Sequence, residues 1–348
     1  MATICVYGAG SVGCYIGGRL LAAGSGVNFV GRARAGAELR EHGLALSDYR
    51  SGHWHVPPSR IDYSTDAAAA ATADLVLVTV KSAGTPVAAA ELAAVLRPDA
   101  LVVSFQNGLS NADVLRAALP RHTVLAGMVP FNVVGDGRGA FHQGSTGDLA
   151  VQTAPAVLPF AAGFRDAGLP LTLHADILAV QWAKLLLNLN NAINALSNRP
   201  LKEELSQRAY RHCLALAQTE ALALLAEAGI RPARLTSLPA NWIPRLLNTP
   251  DALFERLART MLAIDPLARS SMSDDLAAGR VTEIDWINGE VLRLAERCGR
   301  RAPVNARLCA LVREAEQGSV RPAWSGEALL TELLAARNDR NAHSAGQA

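Results

Sequence analysis

Short runs of β-branched and other apolar residues alternate with alanine-rich stretches of helical character in the first half of the chain. The pattern predicts strands at residues 3–7, 26–30, 75–79, 101–104 and 123–129, and helices at residues 12–23, 33–41, 87–96 and 112–119. The uninterrupted apolar run at residues 75–78 is typical of a strand buried on both faces. Because strands that alternate with helices favour a parallel sheet covered on both sides, we predict an α/β domain here.

The pattern changes in the second half of the chain. Residues 132–152 are glycine-rich and predict hairpin strands, and a small αβ ending follows through about residue 173. After residue 176 only helical patterns follow, at residues 178–196, 206–228, 252–262, 268–278, 283–298 and 304–317. We therefore expect an α/β domain at residues 1–177, an all-α domain at 178–335 and a flexible tail at 336–348, where the residues are polar and small.

Composition narrows the class of protein. A chain of 348 residues, half of them hydrophobic and 18% charged, is globular and long enough for two cores. A net charge of +2 without a long basic run argues against nucleic acid as a partner. The first predicted strand leaves no room for a signal peptide, and no apolar run could span a membrane, so we expect a cytoplasmic protein. The five scattered cysteines, without CxxC spacing, predict reduced thiols and no metal site.

A glycine-rich string links the first predicted strand to the first predicted helix and reads Gly8-Ala9-Gly10-Ser11-Val12-Gly13. In such a turn the first glycine permits the bend, the second lets the backbone approach a diphosphate, and the third lets helix and strand pack closely. The N-terminus of the helix adds unpaired N–H groups and a favourable dipole for an anion. Glycines at this spacing also occur in ordinary turns. Their position between a strand and a helix predicts a Rossmann-type dinucleotide site.

Arginines follow the second predicted strand, where an NAD-preferring domain of this type carries a carboxylate for the ribose hydroxyls. Here the strand is followed by Gly31-Arg32-Ala33-Arg34, without a carboxylate. A guanidinium binds phosphate through paired, charge-assisted hydrogen bonds, so Arg32 predicts NADP(H). For Arg34 the alternative is a solvated helix face.

Two further polar residues follow predicted strands. Lys81 comes after the strand at 75–79, and Asn107 lies in an amide-rich turn after the strand at 101–104. Ligands of open α/β sheets bind at the carboxyl ends of the strands, which makes both residues candidates for ligand binding. The structural alternatives are a solvated loop lysine and a plain Asn-Gly turn.

Lys184, Asn188 and Asn191 recur at helical spacing in an otherwise apolar segment, so they share one helix face. Burying a lysine and amides is costly unless they meet a partner or a ligand. Desolvation would lower the pKa of the lysine and make it a competent proton donor near neutral pH. The alternative is an exposed face of the helix.

Hydroxyl and carboxylate residues cluster at 270–275 and again at 282–289. Taken alone, they are typical of helix caps and of acids in the first helical turn, and we keep this interpretation for Asp285.

Taken together, these motifs resemble the ketopantoate reductases (2-dehydropantoate 2-reductases) over residues 3–318. The resemblance is carried by the glycine string, Val78-Thr79-Val80-Lys81, Gln106-Asn107-Gly108, Trp182-Ala183-Lys184 with Asn188, Ser271-Met272 with Asp275, and Glu283-Ile284-Asp285-Trp286-Ile287-Asn288-Gly289. The last string is specific to the family, whereas the glycine motif is not. The resemblance implies NADPH-dependent reduction of a 2-keto acid, normally ketopantoate to pantoate in pantothenate biosynthesis.

The resemblance also implies roles for individual residues. Lys184 would donate the proton to the ketone oxygen, and Glu283 would orient it. The residues implied to bind the cofactor are Gly8, Ala9, Gly10, Ser11, Val12, Gly13, Arg32, Lys81, Asn107 and Glu283. The residues implied to bind the substrate are Asn107, Asn188, Asn194, Ser271 and Asp275, the last also supporting Glu283.

The chain departs from the family pattern at several points. The second asparagine of the family falls on Ala192, so either Asn194 is brought into place by a small insertion, which we favour, or Asn191 substitutes for it. The stretch 231–269 is longer than the usual spacer, and the tail extends past the usual end. These departures leave open a related reductase of another 2-keto acid. A non-catalytic, nucleotide-sensing module is a further alternative. Large apolar helix faces make a homodimer possible.

Overall fold

The computed structural model describes residues 2–257 and 267–344. Its chain divides into two compact units, Met1–Gln181 and Trp182–Ala348, close to the boundary predicted after residue 177. We call them the sheet unit and the helical unit. No helix within the described ranges is long and apolar enough to cross a membrane.

The sheet unit contains twelve strands and five helices along the described chain, together with short 3-10 turns. The strands are β1 (Thr3–Tyr7), β2 (Gly26–Val30), β3 (Leu44–Asp48), β4 (His53–Val56), β5 (Asp62–Ser64), β6 (Leu75–Val78), β7 (Leu101–Ser104), β8 (Thr123–Met128), β9 (Val133–Gly137), β10 (Ala140–Gln143), β11 (Leu149–Gln152) and β12 (Leu171–His174). The helices are α1 (Ser11–Ala22), α2 (Ala33–His42), α3 (Thr85–Val95), α4 (Asn111–Ala118) and α5 (Ala161–Asp166).

Eight of these strands form one sheet in the order β12-β11-β8-β7-β6-β1-β2-β5. All neighbouring strands in it are parallel except β11 and β8, which are antiparallel. Every residue of the central strands β6 and β7 is buried, and apolar cores lie on both faces of the sheet. This confirms the predicted α/β class with a mainly parallel sheet.

A second sheet has four strands in the order β4-β3-β10-β9. The sequence predicted two of them. The predicted glycine-rich hairpin is present as the antiparallel pair β9 and β10. Strands β3 and β4, and also β5 of the large sheet, carry polar residues and alternate too briefly to give a clear pattern. These segments are strands because of tertiary contacts. Strand β3 pairs with β10 and with β4, and β5 pairs with β2.

The helical unit follows α6 (Ile177–Asn188), a helix that starts in the sheet unit. Its described helices are α7 (Asn190–Ser197), α8 (Leu201–Ser206), α9 (Arg208–Glu227), α10 (Ile243–Leu247), α11 (Asp251–Leu257), α12 (Ser271–Ala277), α13 (Asn288–Arg297), α14 (Pro303–Gln317) and α15 (Gly326–Ser344). Their buried faces include Trp182, Tyr210 and Phe254. The predicted all-α second domain is confirmed for the described residues.

Several predictions for the helical unit differ from the structure. The helix predicted at 283–298 begins only at Asn288, after a short 3-10 turn. The helix predicted at 178–196 is interrupted at Leu189, so that Lys184 and Asn188 lie on α6 and Asn191 on α7. Part of the helix predicted at 252–262 is α11, whereas residues 258–262 lie outside the described residues. Helix α15 continues through Ser344 and covers much of the segment predicted as a flexible tail. Residues 345–348 are outside the description.

Candidate active site

The glycine string forms the tight connection between β1 and α1. Gly8 has φ +114°, and a Cβ atom on it would lie 2.4 Å from the backbone nitrogen of Val80. A Cβ atom on Gly13 would lie 2.4 Å from the carbonyl oxygen of Gly8 and 2.5 Å from Oγ1 of Thr79. No real Cβ atom tolerates such distances, so both positions require glycine for the backbone to close on itself.

No contact among the described residues requires glycine at position 10. It is exposed, its φ is −91°, and a Cβ atom there would meet no atom within 4 Å. The helix α1 begins directly after it, and the first amides of a helix have no carbonyl partner within the helix. The open space above Gly10 therefore faces a set of N–H groups and the positive end of a helix dipole, which suits a diphosphate.

Arg32 stands at the end of β2 and at the start of α2, with an exposed side chain. Its backbone is fixed by Tyr63, whose hydroxyl donates a hydrogen bond to the carbonyl oxygen of Arg32 at 2.7 Å. Arg34 is also exposed and is the second residue of α2. The segment that carries both arginines begins beside the glycine string, because the backbone amides of Gly8 and Ala9 both donate to the carbonyl of Val30.

A polar network shapes the loops that follow β6 and β7. Gln106 donates to the carbonyl of Val80 at 2.9 Å and to the Thr85 hydroxyl at 2.7 Å. The carbonyl of Asn107 accepts from Asn111 at 2.6 Å and from the Ser82 hydroxyl at 3.1 Å. The network leaves the Asn107 side chain half-buried, and the neighbouring Lys81 side chain is exposed. Both therefore lie at the carboxyl edge of the sheet, as predicted.

Lys184 lies on α6 between the buried residues Ala183 and Leu185. Its side chain is partly exposed, yet desolvation lowers the pKa of its ammonium to about 8 from 10.5. Asn188 follows one turn later on the same face and is also partly exposed. The helix therefore offers an amine that carries a proton at neutral pH and releases it readily.

The two asparagines proposed as alternatives occupy different surroundings. Asn194 is fully buried, and its amide nitrogen donates to the carbonyl of Arg199 at 3.0 Å and to Oε2 of Glu204 at 2.5 Å. Its oxygen accepts from the backbone nitrogen of Ser270 at 2.9 Å. The structure does not support a substrate contact for Asn194, because its hydrogen-bonding groups are committed inside the fold. Asn191 is partly exposed.

The α12 segment presents the predicted serine. Ser270 caps the helix by accepting from the backbone nitrogen of Ser273 at 3.1 Å, and Ser271 is the exposed first residue. Asp275 is buried and pairs with Arg280 at 2.9 Å, a position that suits support of the segment better than contact with a ligand. Hydroxyl and capping groups thus define a fixed helix start at Ser271.

Glu283 precedes a short 3-10 turn at Ile284–Trp286 and is half-buried. The preceding Thr282 is anchored by its backbone nitrogen, which donates to Glu316 at 2.7 Å. Asp285 forms an ion pair with Arg313, in line with the structural interpretation of this residue. Within the described ranges no group of acidic, histidine and cysteine side chains could hold a metal ion.

Sequence reasoning missed three residues that shape these sites. Tyr63 lies on the short polar strand β5, and Glu204 and Arg211 are fully buried charged residues in helices. For Glu204 and Arg211, the available signal in the sequence was a charged residue on a helix face that is otherwise apolar. Their partners are backbone carbonyls or amides that only the folded chain brings near.

A glycine-string α/β unit followed by a helical unit with a desolvated lysine defines a dinucleotide-binding protein of the Rossmann type. Two family models match the chain, "Ketopantoate reductase PanE/ApbA" over residues 4–156 and "Ketopantoate reductase PanE/ApbA C terminal" over residues 176–316. The chain belongs to the ketopantoate reductase family, a family of oxidoreductases that use a nicotinamide cofactor.

Individual relatives cover almost the whole chain. The 2-dehydropantoate 2-reductase of Halobacterium salinarum is 30% identical over 321 residues, which span 90% of this chain and 99% of the relative. The solved structure of a PanE/ApbA family ketopantoate reductase from Ralstonia eutropha JMP134 matches with a TM-score of 0.77 and 31% identity, covering 90% and 98% of the two chains. The dimeric ketopantoate reductase of Staphylococcus aureus is 17% identical, with a TM-score of 0.67 over 90% of this chain and 99% of that chain, and shares the fold.

Proposed function

We propose that the protein reduces 2-dehydropantoate (ketopantoate) to pantoate with NADPH. The observation that carries the proposal is Lys184, a lysine on a largely buried apolar helix whose pKa is lowered to about 8 by desolvation. A proton donor needs a pKa near the working pH, and desolvation brings the pKa of Lys184 toward it. Relatives along almost the full chain carry the same activity in their names.

The sheet unit fits a dinucleotide. Its glycine string leaves open space at Gly10 beside the first amides of α1, which supports a diphosphate there. Arg32 would bind the 2′-phosphate, since no carboxylate follows β2 and its guanidinium is exposed. Lys81 and Asn107, at the carboxyl edge of the sheet, would complete the contacts. Bound NADPH would supply the hydride that the reaction requires.

The helical unit would handle the keto acid. The ammonium of Lys184 would donate its proton to the ketone oxygen of the substrate as negative charge develops there. Glu283 would orient the ammonium and contact the cofactor ribose. Asn188 and the Ser271 hydroxyl, both at accessible positions, would hold the hydroxyl and carboxylate of the substrate. Asn191 would take the place of the second family asparagine, because Asn194 is committed elsewhere.

The test is turnover of purified protein with ketopantoate and NADPH, followed by the absorbance of the reduced cofactor. We expect Lys184→Ala to lower kcat by a factor on the order of 10³ while NADPH binding stays within about twofold, since general acid catalysis contributes roughly 10²–10⁴. Lys202→Ala is the matched control, because Lys202 is the exposed lysine of the same unit. Near-normal kcat in Lys184→Ala would remove the proton-donor role.

A second candidate is the reduction of another 2-keto acid by the same chemistry. The commitment of Asn194 to the protein interior supports it, because the second amide that contacts the substrate would then come from a different position, Asn191. Comparison of kcat/KM among 2-keto acids of different side chains decides between the two substrates. A homodimer and a cytoplasmic location stay predictions, the first measurable by light scattering on the purified protein.

A further inference from the structure

Glu204 lies on α8 with no exposed surface. None of the ion pairs among the described residues involves it. Its carboxyl instead contacts an amide of α7, because Asn194 donates to Oε2 at 2.5 Å. A carboxyl that is buried without a cation is costly, so its presence calls for a specific role.

Asn194 connects Glu204 to the segment that begins α12. Its nitrogen holds Glu204 and the carbonyl of Arg199, while its oxygen accepts from the backbone nitrogen of Ser270. All three of these hydrogen bonds are buried or nearly so, and the amide cannot rotate without breaking them together. The side chain therefore has one orientation, which the Glu204 carboxyl helps to select.

Ser270 is the residue that starts α12. Its hydroxyl accepts from the backbone nitrogen of Ser273 and lies 3.3 Å from the carbonyl oxygen of Asn191, to which it donates. The next residue is Ser271, the exposed serine at the head of the helix. A displacement of Asn194 would therefore move the helix start that carries Ser271.

We propose that Glu204 is a positioning residue for the keto acid: through Asn194 it fixes the start of α12 and thereby the Ser271 hydroxyl. The inference rests on the proposed function in so far as Ser271 contacts the substrate. Glu204 touches neither substrate nor cofactor in this scheme. Its effect is to hold the binding group in place before the substrate arrives, which lowers the cost of ordering on binding.

The network requires a neutral carboxyl. Burial raises the pKa of Glu204 to about 8, against the lowering effect of the hydrogen bond from Asn194. Oε1 of Glu204 and Oδ1 of Asn190 are buried acceptors without a donor among the described residues, and a proton on the carboxyl supplies one. The titratable groups that interact electrostatically with Glu204 are Tyr210 and Cys213 on α9. The buried Arg211 on α9 is paired with Asp251 on α11 and donates to the carbonyls of Leu205 and Ser206 on α8.

Two substitutions separate the hydrogen bond from the charge. Glu204→Gln keeps an acceptor for Asn194 and is always neutral, whereas Glu204→Leu removes the hydrogen bond and keeps the volume. We expect Glu204→Leu to raise KM for the keto acid about tenfold with kcat within about threefold, and Glu204→Gln to keep KM within about twofold. Tyr210→Phe is the matched control, because it loses a buried hydrogen bond to the carbonyl of Trp324 and leaves Asn194 and Ser270 untouched. Equal KM values for the Leu variant and the wild type would overturn the proposal.

The pH profile gives a readout that a merely structural residue would not move. In the wild type the KM for the keto acid should rise above about pH 8, as Glu204 loses its proton and an unpaired charge enters the network. Glu204→Gln should abolish this rise. A rise that persists unchanged in the Gln variant would assign the titration to another group and overturn the inference.

Hydrogen exchange tests the inference without turnover. In the full-length protein, peptides covering residues 267–276 should exchange faster in Glu204→Leu than in the wild type, by about tenfold, while peptides of α13 and α14 stay unchanged. Uniform acceleration, or none, would overturn it. If the wild type fails to reduce ketopantoate but the exchange result holds, then the proposed substrate fails and the positioning of α12 by Glu204 stands.

Discussion

The Thr79 hydroxyl donates a hydrogen bond to the carbonyl oxygen of Gly8 at 2.7 Å and joins the end of β6 to the glycine string after β1. The same carbonyl oxygen lies 2.4 Å from the position that a Cβ atom on Gly13 would take. The loop is therefore closed by its own backbone on one side and open only at Gly10. Substitutions on the packed side and at the open position of the loop should therefore have different effects.

Alanine at each glycine should give a different result. Gly13→Ala should lower the melting temperature, because the new Cβ atom meets backbone at 2.4 Å. Gly10→Ala should melt like the wild type and yet bind NADPH at least about tenfold more weakly, since its Cβ would occupy the open space beside the α1 amides. Thermal melting measures the change in stability, and calorimetry measures the affinity for NADPH. Gly144→Ala, also free of neighbours within 4 Å, is the control. Unchanged NADPH affinity in Gly10→Ala would contradict the placement of the diphosphate.

Arg32 should set the preference between the two dinucleotides. We expect Arg32→Ala to weaken NADPH binding by roughly 10- to 100-fold, the value of a charge-assisted contact, and to change NADH binding by less than about twofold. Arg34→Ala should have a smaller effect, and the exposed Arg121 provides a neutral control. Fluorescence titration with both dinucleotides measures the ratio. Equal losses for NADH and NADPH would argue against a 2′-phosphate contact.

We expect the desolvated ammonium of Lys184 to lower the free energy of unfolding at neutral pH. Burial lowers its pKa from 10.5 to about 8, so the unfolded chain binds the proton more tightly than the folded one. The penalty is full below pH 8 and disappears as the pH rises through 10.5. Lys184→Met should therefore raise the free energy of unfolding by about 1–3 kcal/mol at pH 7 and by much less near pH 11.

Urea unfolding at the two pH values checks this expectation, with Lys202→Met as the control. In the wild type, kcat should fall above about pH 8 as the proton donor is lost. The Glu204→Gln variant should keep this fall in kcat. A Met variant that is less stable than the wild type at pH 7 would show that the interactions of the amine outweigh the cost of its desolvation.

Arg211 should hold residues 247–251, which belong to the long stretch 231–269, to α9. It has no exposed surface, pairs with Asp251 at 2.9 Å, and donates to the carbonyls of Leu247 and Thr249 at 3.1 and 2.8 Å. Arg211→Met should lower the free energy of unfolding by about 2–4 kcal/mol, because buried carbonyls lose their donors. Arg300→Met, which breaks an exposed pair with Glu227, should cost less than about 1 kcal/mol. Similar losses for both variants would contradict an anchoring role.

The sequence predicted the strands of the main sheet well because their signal is local. Strands β1, β2 and β7 match the predicted ranges residue for residue, since each is a compact, mainly apolar run followed by helical sequence. Strand β5 was missed because its three residues, Asp62–Ser64, carry no apolar pattern and pair only through the edge of β2. The break at Leu189 was missed for a related reason, as its backbone remains in the helical region.

The same division applies to the candidate site. Spacing alone indicated the glycine string, Arg32 and the shared face of Lys184 and Asn188, because each depends on neighbours within one or two helical turns. Spacing could not choose between Asn191 and Asn194. That choice depends on Glu204 and Ser270, which lie 10 and 76 positions from Asn194 and meet it only in the folded chain.

The sequence by itself determined the α/β class, the family and the residue types available for dinucleotide binding and proton transfer, since these follow from local patterns and from the order of motifs. Tertiary structure decided which polar groups are free to meet a ligand and which are committed to the fold. It also decided the proton affinities of Lys184 and Glu204, because desolvation depends on the surroundings that distant segments create.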